Sequence, residues 1–175
     1  MFHPTEAQPR TADSLEVERE KDPVWRIDVP EDLAISHPLV KQAAAAIRRS
    51  SRDRTMDRGI SWRDRYQAKL MKPGPGHLDI AVSRASLPRA LRIMQALLAA
   101  FDRRGFGVEI TAKNETIVTV LDETFQIALV ERFKQVVVKH TYGSGMDLEP
   151  SGRLMLRIGS SSYDNGRHRQ ASSHY

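Results

Sequence analysis

Two close carboxylate pairs, Asp122-Glu123 and Asp147-Glu149, and a set made of His77, Asp79 and His140 are the residues whose types and spacing invite chemistry. Paired carboxylates act as general acid and base only where burial or a like-charged neighbour drives their pKa values apart. Both pairs fall where the sequence turns, so they read as solvated. His77 and Asp79 stand two apart on an expected strand and share a face, with His140 as a distant third ligand. A metal site needs a closer second histidine or a clear carboxylate partner. No catalytic residue, metal site or cofactor is assigned. The serines lack a Gly-x-Ser-x-Gly turn. Gly74 and Gly76 are flanked by prolines and followed by a strand, whereas a phosphate cradle requires a helix to begin there. The chain has no cysteine, which removes thiolate nucleophiles, thiolate metal clusters and disulfides.

A different chemistry is offered by Arg48, Arg49, Arg52, Arg54, Arg58, Arg63, Arg65, Lys69 and Lys72, with Trp62 and Tyr66 interleaved. Cationic side chains contact phosphates and aromatic rings stack on bases, so these are the candidate nucleic-acid-binding residues. The formal charge of +5 conceals a segregation that supports the idea. Residues 1–32 carry four basic and nine acidic side chains, net −5, whereas residues 41–72 carry ten basic and three acidic, net +7. An anionic partner for the middle segment is one consequence, and neutralisation by the acidic N-terminal part is the cheaper one. The alternative reading of the segment is an exposed connector whose two aromatics pack on a sheet. Arg89 and Arg92, with Arg103 or Arg104, read as the solvated side of a helix.

The elements that must position these groups follow from periodicity. Residues 1–23 lack apolar periodicity and read as a flexible acidic leader. Residues 24–76 form a helical and arginine-rich connector: Trp25 packs on the main domain, and Ser36 caps a short helix in which Leu39, Val40, Ala43, Ala44 and Ile47 share one face. Pro73 to Gly76 closes it. The core spans residues 77–159. Leu78, Ile80 and Val82 alternate as a strand; Ser86 caps a helix whose stripe is Leu87, Leu91, Met94, Leu98 and Phe101, ended by Gly105. Val108 to Leu121 reads as a hairpin turning at Lys113-Asn114, Asp122-Glu123 turns the chain into a third strand from Phe125 to Val130, and the meander is antiparallel. Gly143 and Gly145 interrupt before a last strand from Leu154 to Ile158, and residues 160–175 form a disordered tail.

Several phrases are similar to a family of uncharacterised bacterial proteins associated with plasmids and other mobile elements. They are Ser36-His37-Pro38-Leu39-Val40, His77-Leu78-Asp79-Ile80-Ala81-Val82-Ser83, Leu87-Pro88-Arg89-Ala90-Leu91-Arg92-Ile93, Arg104-Gly105-Phe106, Val118 to Val120 and Pro150-Ser151-Gly152-Arg153-Leu154. The resemblance implies that longer relatives carry a helix-turn-helix-like module ahead of this region and a further helix after it, and that this chain corresponds to a shortened member.

The sequence therefore predicts an α+β fold: a mainly antiparallel four- or five-stranded sheet with one long helix on one face and a short N-terminal helix. The function it suggests is a non-catalytic, cytoplasmic binding module, nucleic-acid-associated or regulatory, whose partner is DNA or RNA. The alternative is a protein-interaction or self-association module that uses an uncovered sheet edge or face. No run approaches the ~20 apolar residues that span a bilayer, so no membrane partner is expected.

Overall fold

Apolar side chains at three- and four-residue spacing between Leu87 and Arg104 form the principal helix of the molecule, α2, as the periodicity predicts. Met94 and Leu98 are wholly buried against Ile127 and Leu129, and each such side chain removed from water is worth ~1.5–3 kcal/mol. The computed structural model describes residues 21–32, 34, 37–50, 66, 68–140 and 143–160. The acidic leader up to residue 20, Ser36, most of the arginine-rich stretch and the tail after residue 160 lie outside the described residues.

Gly105 ends α2 with φ of 72°, a left-handed value that only glycine adopts without steric cost, and its N–H and that of Phe106 close back on the last turn. Ser86 precedes the helix but its hydroxyl does not cap it. That hydroxyl is instead engaged by Glu131. A shorter helix, α1 (Pro38–Ser50), adds Val40, Ala43 and Ala44 to the same core. Its entry is fixed by His37, whose N–H donates to the Gln95 side chain of α2 at 3.0 Å and whose Nδ1 accepts from the Leu39 N–H at 3.2 Å.

Among the described residues the sheet has five strands: β1 (Ile80–Ala81), β2 (Gly107–Ile110), β3 (Thr116–Val120), β4 (Glu123–His140) and β5 (Gly143–Ser160). β2, β3 and β4 form the expected antiparallel meander. The sheet as a whole is mixed rather than mainly antiparallel, because β1 runs parallel to β4. The reason is positional. β3 covers β4 only as far as Ile127, and β1 continues along the same edge at Leu129 and Val130. The join is made by Asp79, whose N–H donates to Thr116 Oγ1 and whose carbonyl accepts from the Leu129 N–H, both at 2.9 Å. The strand expected from Leu78 to Val82 thus shortens to two residues, with Val82 bridging Met71 on the other side.

Two further corrections concern turns. The β3–β4 hairpin turns on Leu121 and Asp122, with φ of 47° and 67°, and not on Asp122 and Glu123; Glu123 already pairs with Val120. Gly143 and Gly145 do not interrupt the chain but begin an 18-residue strand equal in length to β4. Between Glu131 and Phe133 the β4–β5 register shifts, with Leu154 opposite Glu131 and Pro150 opposite Phe133. One residue of β4 there faces three of β5, which includes Gly152 at φ of 75°. Such a bulge bends and twists the ribbon. Beyond it, residues 133–140 and 143–150 pair only with each other among the described residues, an arm of about 25 Å at ~3.3 Å per residue. No helix among the described residues is long and apolar enough to cross a membrane.

Candidate functional site

The residues singled out for chemistry are not brought together. Asp122 is exposed on the hairpin turn and Glu123 is exposed at the first position of β4. Asp147 is held by Lys69 at 3.0 Å and by the Leu148 N–H at 2.8 Å. The Lys69 ammonium and the Leu148 amide keep its carboxyl below the ordinary aspartate range. Glu149 is exposed opposite Lys134. His77 turns its Nδ1 to the Pro75 carbonyl at 2.8 Å, and the His140 side chain lies outside the described residues. No group of three His, Asp or Glu side chains converges among the described residues.

Of the candidate nucleic-acid-binding residues, Arg52, Arg54, Arg58, Trp62, Arg63 and Arg65 lie outside the described residues. Arg48 and Arg49 are exposed in the last turn of α1. Tyr66 and Lys69 turn to the arm: the Tyr66 ring meets Phe133 edge-on at 6.2 Å, and Lys69 donates to Asp147 Oδ2 at 3.0 Å and to the Leu148 carbonyl at 2.7 Å. One of the two aromatics therefore packs on the sheet, as the connector reading expects. Lys72 is exposed at the rim of an open depression of about 560 Å³ on the sheet face opposite α2. Its floor is Gln126, Ala128 and Val130, and Lys113 and Arg157 complete the basic rim. Asp79 also lines it. Burial pushes this carboxyl above the usual aspartate range, Lys72 and Arg157 pull it back, and Glu115 adds to the rise.

The arginines of α2 are not simply solvated. Arg104 donates to the Trp25 carbonyl at 2.6 Å and lies 5.3 Å from the Trp25 ring centroid, Arg92 donates to the Glu31 carbonyl, and Arg89 donates to the Gly152 carbonyl. Arg92 and Arg104 thereby strap the segment from the Pro23–Trp25 turn to Glu31 along the helix.

Three features were missed in the sequence. The first is Glu131, only 4% exposed, whose two oxygens accept from the N–H groups of Ser83 and Gly152 at 2.7 Å each. Burial alone would raise its pKa, but these amides with the hydroxyls of Ser83 and Ser86 outweigh it and hold the carboxyl below the glutamate range. Its inward parity with Ile127 and Leu129 was the available signal. The second is the arm, on which Val137 and Met146 are directly opposite each other and 68% and 63% exposed. The third is the outer edge of β5, where Leu156 and Ile158 are 39% and 67% exposed although they stand opposite the buried Leu129 and Ile127. A run of three valines from Val136 signalled an apolar strand there, yet the glycines that follow read as a break.

The described residues present a two-stranded ribbon with an apolar pair, a β5 edge that has no partner strand among them, and a basic-rimmed hollow. Comparison with protein-family models, with curated proteins and with solved structures finds no match to this chain.

Proposed function

We propose that this chain is a non-catalytic binding module that associates through the β4–β5 arm, with a second copy of the chain as its partner. The observation that carries this reading is the Val137–Met146 pair, two large apolar side chains facing each other on a ribbon with no third strand beside it among the described residues. An isolated two-stranded ribbon is marginal in water, and an apolar pair exposed on it gains from burial in an interface. Methionine suits such a contact because its side chain adapts to the surface it meets. Light scattering over about a hundredfold range of concentration tests the reading. The wild type is expected to pass from monomer to dimer, and the double variant Val137→Ser, Met146→Ser to remain monomeric. A wild type that stays monomeric throughout overturns it.

A second reading, contact with DNA or RNA, is favoured by the basic rim of Lys72, Lys113 and Arg157, because Lys72 ends the arginine-rich stretch. The plasmid and mobile-element resemblance suits this setting. Affinity for a duplex would then fall by ~0.9 log units per log unit of salt for each phosphate neutralised, and Lys72→Ala with Lys113→Ala would lower that slope by about two contacts. Binding that is insensitive to salt, or absent at low salt, removes this reading.

A further inference from the structure

The outer edge of β5 is built to receive another strand, and the sequence of the chain carries a segment with the matching pattern. Among the described residues β5 pairs with β4 alone, so alternate N–H and C=O groups from Arg153 to Gly159 face outward. The two faces of this edge differ. Cross-strand neighbours share a face, so Leu156 and Ile158, opposite the buried Leu129 and Ile127, continue the α2-covered apolar row beyond the reach of the helix. Arg157 points to the other face, where it lines the depression, and Arg153 shares its parity. A strand fitting here must alternate apolar side chains on one face with acidic ones on the other.

The sequence Leu15-Glu16-Val17-Glu18-Arg19-Glu20 has that alternation over its first four residues: Leu15 and Val17 share one register with Arg19 at its end, and Glu16, Glu18 and Glu20 fill the other. We infer that the β5 edge is a docking site and that residues 15–20 of the chain itself are its occupant. Three points support the assignment. The charges are complementary, two arginines against three glutamates. Opposed opposite charges stabilise neighbouring strands, whereas two β5 edges paired with each other about Met155 would set Arg153 against Arg157. The lengths agree, since six extended residues cover about 20 Å, as do residues 153–158. The chain also leads to the right end of the molecule. Only Lys21 and Asp22 separate Glu20 from the Pro23–Trp25 turn, which Arg104 holds at the C-terminal end of α2. From that end the chain enters β2, and the row Gly107–Thr119, Thr119–Thr124 leads to Phe125, opposite Ser160 at the end of β5.

This inference concerns residues other than Val137 and Met146, so it stands or falls apart from the arm. The test is hydrogen exchange of the β5 amides in the full chain, compared among the wild type, the triple variant Glu16→Lys, Glu18→Lys, Glu20→Lys, the double variant Arg153→Glu, Arg157→Glu, and their combination. Outward amides between residues 153 and 159 are expected to be protected in the wild type. Protection should fall about tenfold or more in each charge reversal and return in the combination, which restores complementarity with inverted sign. A purely structural role of the arginines in β5 would not be rescued in this way. Unprotected outward amides in the wild type, or protection unchanged by the glutamate reversals, as a second copy on this edge would give, overturns the inference.

Discussion

A buried carboxylate without a cation beside it normally costs stability, yet Glu131 is retained in the α2-facing layer of the sheet because four donors surround it. Its pKa is depressed, so its contribution is fully present above the ordinary glutamate value of 4.5 and is lost as the pH falls through the lower folded value. Glu131→Gln places an NH₂ against a backbone N–H and should cost about 2 kcal/mol at neutral pH. Urea denaturation from neutral to acid pH checks this: the gap between wild type and variant should narrow on acidification, and a constant gap contradicts the account. The site was partly legible in the sequence, since an acidic residue two positions after Leu129 occupies inward parity. Its partners were not, because Ser83 and Gly152 are 48 and 21 residues away.

At the scale of elements, the extent and buried stripe of α2 were legible, though not its cap or its arginine contacts, because an amphipathic stripe bounded by Pro88 and Gly105 is a local signal. The sheet was legible only where strands pair with sequence neighbours. The parallel contact of β1 with β4 depends on where β3 stops, which no local pattern encodes, and the continuation of β4 through Val136 to Val138 was masked by Gly143 and Gly145. The β3–β4 hairpin carries a local conflict. Two consecutive residues with positive φ define the tight turn that Asn-Gly satisfies best, and here they are Leu121 and Asp122. Leu121 is 53% exposed, so little packing is lost on replacing it. Leu121→Asn with Asp122→Gly should raise stability by about 1 kcal/mol, read as a higher denaturation midpoint at unchanged slope.

For the molecule as a whole, the hydrogen bonds that hold the N-terminal segment to α2 end on its backbone carbonyls, so the charge segregation seen in the sequence does not account for them. Arg92 and Arg104, expected to be solvated, bind the N-terminal segment to α2, and this was illegible because their acceptors are backbone carbonyls that any sequence supplies. In a Trp62→Phe background, Arg104→Ala should shift Trp25 emission to longer wavelength and cost ~0.5–1 kcal/mol, the range for an exposed cation–π contact. Unchanged emission would show that the strap does not depend on this contact. Most of the candidate nucleic-acid residues fall between α1 and Tyr66, so the sequence located the basic stretch but not its placement.

The bend at Gly152 has a mechanical consequence. Its N–H is held by Glu131 and its carbonyl by Arg89 of the first helical turn, so the peptide acts as a fulcrum between the ribbon and the core. With an arm of about 25 Å beyond it, a load seated on the distal tip is shared between this fulcrum, which passes it to the start of α2 and the Ser83–Ser86 corner, and Lys69, which holds the arm at Asp147 and Leu148.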